Sequence, residues 1–136
     1  MSKNNFPGYK TLDFSEFTDE KGVLRVLNDN TLPFRPKRIF TLQSTNTNLT
    51  RGNHGHFECQ QVMFAQNGIV DLNIVNVFGD FHEVLTDSVA FFLPPGNWCS
   101  LKFRETSSSV VVLASHEFLE TDYFYDKPLS SKNLSK

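Results

Sequence analysis

Apolar and polar residues alternate along this chain in short runs, and each run stops at a turn signal. Val23-Leu24-Arg25-Val26-Leu27 follows Gly22 and reads as a strand that Asn28-Asp29-Asn30 ends. Arg38-Ile39-Phe40-Thr41-Leu42, after Pro36, reads as another, and Ser44 to Thr50 as a polar loop. A strand begins near His54 and continues through Gln61-Val62-Met63-Phe64-Ala65 to Asn67-Gly68, a strong short-range hairpin signal. From Ile69 to Val77 the alternation sets Val70, Leu72 and Ile74 on one face and Ile69, Asp71, Asn73 and Val75 on the other. Gly79-Asp80 is expected to turn the chain into a strand from Phe81 to Leu85. Val89 to Leu93 runs into Pro94-Pro95-Gly96, a hard stop, and Trp98 to Phe103 follows. Val110-Val111-Val112-Leu113-Ala114 is unbroken and apolar, the pattern of a strand buried on both faces. Only the stretch from about Leu119 to Tyr125 is expected to hold a short helical turn.

Short strands at even spacing, with almost no helix, point to an all-β sandwich or barrel. A chain of 136 residues fits one domain, residues 1–136, with a core at about 10–127. The polar ends, residues 1–8 and 128–136, are expected to fray. Edge strands of such a barrel need protection, and a second copy of the chain is one way to give it.

Composition adds a few limits. The net charge of -2 gives no reason to expect a nucleic acid or an anionic membrane as partner. No stretch is long and apolar enough to cross a bilayer, and Met1 to Tyr9 lacks the apolar core of a signal peptide, so the cytoplasm is the expected location. Fourteen phenylalanines imply an aromatic core or an aromatic-walled cavity. Cys59 and Cys99 are expected as free thiols, with Cys59 packed in the core.

Chemistry concentrates in Arg51-Gly52-Asn53-His54-Gly55-His56. On a strand, His54 and His56 project together, with Arg51 just ahead of them. Imidazoles facing one cavity suit proton transfer or metal ligation. Metal-binding jelly rolls place an acid three or four residues after such a pair and a late histidine after a Pro-x-Gly turn. Here those positions hold Gln60, Gln61 and Cys99, so a metal reading would use His54, His56 and Cys99. Proton transfer without metal needs only the two histidines, with Arg51 to bind an anion or a developing enolate. His82 and His116 stand alone and read as surface or edge residues. Trp98, after a rigid turn, is a candidate for covering the barrel mouth or stacking on a ring.

Arg51 to His56, then Gln60-Gln61-Val62, Asn67-Gly68, Phe92 to Trp98, Val111 to Ser115 and Glu120-Thr121-Asp122-Tyr123 together resemble the sugar-nucleotide 3,4-ketoisomerases. The likeness covers roughly residues 19 to 126. It implies a cupin jelly-roll barrel, assembled as a homodimer with exchanged N-terminal strands. It also implies metal-independent, cofactor-free isomerisation of a dTDP-linked 4-keto-6-deoxy sugar through an enediol, within amino- and deoxy-sugar synthesis for surface glycans such as O-antigens. By that likeness His54 and His56 carry the protons. Arg51, Asn53, Gln61, Trp98, Cys99 and Thr41 are the substrate-binding candidates. The chain departs from the family at Thr41 (usually Tyr), Cys99 (usually His) and Phe57 (usually Lys). Two other readings stand beside the isomerase: a sugar-nucleotide-binding cupin without turnover, and a metal-binding cupin using His54, His56 and Cys99.

Overall fold

The computed structural model describes residues 8–129; the expected loose ends thus lie largely outside the described residues. Two five-stranded sheets face each other. The first has the order β1 (Lys10–Asp13), β9 (Val89–Leu93), β6 (Gln61–Gln66), β11 (Ser109–Ala114) and β4 (Arg38–Gln43). The second has the order β12 (Tyr123–Phe124), β5 (Arg51–His56), β10 (Trp98–Phe103), β7 (Val70–Asn76) and β8 (Gly79–Leu85). Neighbouring strands pair antiparallel throughout, which is a jelly-roll sandwich. A hairpin, β2 (Ser15–Asp19) and β3 (Gly22–Val26), forms a small sheet of its own. No helix among the described residues is long and apolar enough to cross a membrane.

Alternation explains the layers. Met63 and Ala65 of β6, Val110 and Val112 of β11, and Phe91 and Leu93 of β9 point inward from the first sheet. They meet Val70, Leu72 and Ile74 of β7, and Cys99, Leu101 and Phe103 of β10, from the second. The opposite residues of the first sheet, Leu12, Val62 and Ala90 with Phe64, Phe92 and Leu113, are covered by Phe14, Leu27, Leu32 and Phe34. That second cluster covers the outer face of β11 only in part: Val110, Val112 and Ala114 are buried, whereas Val111 and Leu113 are half-buried, so the burial on both faces that the unbroken apolar run implied is incomplete.

Most expected strands are present, with shifted ends. The turn before β8 falls at Val77–Phe78 rather than at Gly79-Asp80, which already belong to the strand. Asn67 and Gly68 take the left-handed region, with φ of 60° and 101°, and turn the chain, but the expected hairpin is not formed: β6 and β7, which they join, lie in different sheets and do not pair. β1 and β2 had no counterpart in the sequence reading. The expected helical turn is a single 3₁₀ turn, Glu120–Asp122, that delivers the chain into β12.

Candidate active site

Strand β5 carries the site, and a β-bulge sets its geometry. Opposite β10, His54 pairs with Cys99 and Gly52 with Ser100, so Asn53 is the extra residue. Gly52 and Asn53 both take the left-handed region, with φ of 88° and 59°. In an unbroken strand, residues 51 and 54 would point to opposite faces. The bulge cancels that alternation and turns Arg51 and His54 into the same cavity.

This cavity, about 300 Å³, is lined by Phe40 and Leu42 of β4, Arg51, Gly52 and His54 of β5, Gln61 and Met63 of β6, Cys99 and Leu101 of β10, Val112 and Tyr123. Each strand contributes its inward residues. The His54 and His56 rings lie 5.2 Å apart, centroid to centroid, at 76°. Gly55 between them is required by space: a Cβ there would sit 2.7 Å from the Asn97 carbonyl oxygen and would strike the Phe124 ring.

His56 is held from behind. Its Nδ1 donates to Asp122 Oδ2 at 3.0 Å, and Asp122 also accepts from the amides of Glu58 (2.8 Å) and Cys59 (3.2 Å). The opposite nitrogen, Nε2, is buried and has no hydrogen-bond partner. Burial lowers the His56 pKa below its ordinary 6.5, with His54 and Arg38 adding to the effect, and these outweigh the raising influence of Asp122. The imidazole is therefore neutral at pH 7, with Nδ1 protonated and Nε2 available as an acceptor. Burial pushes the Asp122 carboxyl up, but its hydrogen bonds from His56 and the two amides outweigh this and hold it below the usual carboxylate range.

His54 is fixed differently. Its Nδ1 donates to the Gly52 carbonyl at 2.9 Å, and its ring stacks on Tyr123 at 4.3 Å and 14°. Tyr123 also meets His56 edge-on, at 4.6 Å and 69°. Asp122 and Tyr123 stood within a family-like tetrapeptide but received no role from the sequence. Their signal is faint, since they lie 66 and 69 residues from the histidines they touch, and only the pairing of β12 with β5 joins them.

The structure brings Arg51, His54, Gln61 and Cys99 onto one cavity, buries His56 beside His54 without making it part of the lining, and corrects three other candidates. Thr41 is exposed on the outer face of β4, because Phe40 and Leu42 occupy the inner face. Asn53 is exposed, and its side chain ties back to Thr50, accepting from Oγ1 at 3.1 Å. Trp98 lies on the outer face of β10, beneath the tail: its indole N–H donates to the Tyr125 carbonyl at 3.0 Å, and Lys127 Nζ sits 4.8 Å from the ring centroid. None of the three lines the cavity.

The thiols are both free. Burial pushes the Cys99 pKa up to about 12, which leaves it a neutral wall residue rather than a thiolate ligand or nucleophile. Among the described residues, the three potential metal ligands that converge within 4.8 Å are His56, Cys59 and Asp122, not His54, His56 and Cys99. The Asp122 oxygens in that group already accept from His56 and from two backbone amides, which is the bonding of a carboxylate that orients an imidazole. His82 and His116 are exposed and lie away from this cavity.

Residues 7–131 match the family model described as FdtA: WxcM-like, C-terminal. The chain belongs to this family. The WxcM-like chain is 30% identical over 140 residues to the TDP-4-oxo-6-deoxy-alpha-D-glucose-3,4-oxoisomerase of Aneurinibacillus thermoaerophilus, covering 93% of this chain and 96% of that one. Its fold superposes with a TM-score of 0.83 on QdtA, a sugar 3,4-ketoisomerase from Thermoanaerobacterium thermosaccharolyticum solved in complex with TDP, at 26% identity over 89% of this chain and 90% of that one. A histidine-to-asparagine mutant of QdtA, in complex with TDP-4-keto-6-deoxyglucose, superposes equally well, with a TM-score of 0.83 at 25% identity over 89% of each chain. The jelly roll is thus that of the cupin-like sugar isomerases.

Proposed function

We propose that this protein is a sugar-nucleotide 3,4-ketoisomerase that converts a dTDP-linked 4-keto-6-deoxyhexose into its 3-keto isomer. The observation that carries the reading is the pair of neighbouring imidazoles, with His54 on the cavity wall and His56 buried edge-on beside it, neutral and braced by a carboxylate. His56 Nε2 takes the proton from sugar C3. The C–H electron pair forms a C3–C4 double bond, and the C4 carbonyl electrons move onto O4. The resulting enediolate gains a proton at C4 while the proton of the C3 hydroxyl passes to O4, and the ketone now stands at C3. His54, stacked on Tyr123, is placed to deliver the C4 proton from Nε2, taking it from solvent while His56 releases the C3 proton to solvent. No electron leaves the substrate, so the residues present complete the reaction.

The cavity volume lies at the low end of the range of about 300–1,000 Å³ usual for ligand pockets. It suits the hexose, with Arg51 at the rim for the anionic part and the nucleotide extending outward. The same reading takes the chain as one domain that works in the cytoplasm as a homodimer. The β2–β3 hairpin, which exposes Phe17 (62%) and Leu24 (59%), is the surface offered to the second copy.

The test is deuterium wash-in. Purified protein given dTDP-4-keto-6-deoxyglucose in D₂O exchanges hydrogen at the sugar carbons, and H54N and H56N each lower the rate by about 10²–10⁴-fold. Thermal stabilisation by dTDP with no exchange on any keto sugar nucleotide would replace the enzyme with a binding protein.

A further inference from the structure

The cavity has a second arginine beside it to which the sequence assigned no role. Arg38 opens β4 on the strand's inner face, in line with Phe40 and Leu42. Its guanidinium lies over the Phe40 ring at 5.0 Å and near the Phe118 ring at 5.9 Å. Phe40 lines the cavity, and Phe118 packs edge-on against Tyr123, so the cation is clasped between the wall and the lip. No carboxylate among the described residues pairs with it. Its Nε is buried with no acceptor. A buried donor without a partner is costly, and a charged one more so. Ring faces hold a guanidinium while leaving its in-plane N–H groups free.

This cation lies near the base. β4 runs from Arg38 to Gln43, a short loop follows, and β5 returns from Arg51 to His56. β4 and β5 lie in different sheets, and Arg38 comes near enough to His56 for its charge to bear on the imidazole, while Arg51 lines the cavity from the start of β5. The buried atoms left without partners at the Arg38 end are a hydrogen-bond donor, Arg38 Nε–H, and an acceptor, His56 Nε2. A carbon acid losing its proton to the acceptor while its carbonyl oxygen becomes an anion supplies both missing partners.

We propose that Arg38 is a catalytic residue whose Nε–H hydrogen-bonds the sugar oxygen that turns anionic as the C3 proton leaves. The inference rests on the isomerase reading and adds a role beyond those given to His54, His56 and Arg51. The bond forms fully only in the enediolate, so it lowers the barrier rather than tightening ground-state binding.

The experiment compares wild type, R38M and R38K in deuterium wash-in and steady-state turnover of dTDP-4-keto-6-deoxyglucose, with dTDP affinity measured alongside. Met keeps the apolar stem between the rings. R38M is expected to lose about 10²–10³-fold in kcat, with KM and dTDP affinity nearly unchanged. Lys keeps the charge and the packing but has no donor at the Nε position, so R38K falls between R38M and wild type, and it keeps the test alive should R38M not fold. An R38M or R38K kcat equal to wild type overturns the proposal, and so does a loss of dTDP affinity as large as the loss of kcat/KM, which would make Arg38 a diphosphate anchor. A wild type that exchanges no hydrogen sinks the isomerase reading itself, and this inference with it.

Discussion

Replacing Asp122 by Asn removes one charge and almost no volume, yet it reaches the chemistry through hydrogen-bond polarity. The carboxylate accepts three bonds, from His56 Nδ1, Glu58 N and Cys59 N. An amide can accept at only one end. With its oxygen toward the Glu58 N–H at the 2.8 Å position, its NH₂ faces His56 and the Cys59 N–H. His56 then becomes an acceptor at Nδ1 and carries its proton on Nε2, the atom that must take the substrate's proton. The same tautomer error in a serine-protease triad costs about 10⁴-fold, or about 5.5 kcal/mol of barrier. Folding loses less, about 1–3 kcal/mol for a charge-assisted hydrogen bond and its unpaired donor, so D122N stays folded and can be assayed. Wash-in of deuterium followed by proton NMR, with a thermal melt of the same sample, separates the two effects. A folded D122N that exchanges within about tenfold of wild type, under about 1.4 kcal/mol, refutes the argument that this carboxylate fixes the tautomer.

Two further outcomes follow from the same geometry. Because burial holds His56 below its ordinary 6.5, kcat/KM is level at neutral pH and falls as pH drops through that lowered value. Stability moves the same way: the unfolded imidazole takes a proton below about 6.5 while the folded one resists it, so acidification favours unfolding, and the depressed Asp122 carboxyl adds a further loss at lower pH. Urea melts of wild type and H56Q across pH 4–8 check this, and identical pH profiles for the two would count against it. G55A forces a Cβ against the Phe124 ring and to 2.7 Å from the Asn97 carbonyl; a destabilisation of about 1–3 kcal/mol, with a Tm lower by several degrees, is expected by calorimetry.

Local pattern carried the sequence reading a long way. Asn67-Gly68 marked a turn because both residues take the left-handed region, but not a hairpin: the turn carries the chain from one sheet to the other, which local pattern does not show. The run Val110 to Ala114 announced a strand with apolar neighbours on both sides. The two histidine rings come side by side as strand alternation requires, but only His54 lines the cavity. Arg51 reaches it only because Asn53 is a bulge residue, and a bulge depends on the partner strand. Thr41 failed as a pocket residue for the converse reason: β4 is regular, and its neighbours Phe40 and Leu42 claim the inside. Asp122, Tyr123 and Arg38 were invisible as site residues, since their roles come from the packing of β12 and β4 around β5 and from no spacing along the chain.

The tail has a consequence for how the protein is made. Both large sheets are complete by Ala114 except for β12, while the acceptor for His56 and the ring beneath His54 arrive with Asp122 and Tyr123. During translation the barrel can close before its histidines are aligned. A premature stop codon or an exopeptidase that removes the last strand would leave a soluble-looking shell that binds nothing productively. Activity, rather than yield or secondary structure, is the measure of an intact product.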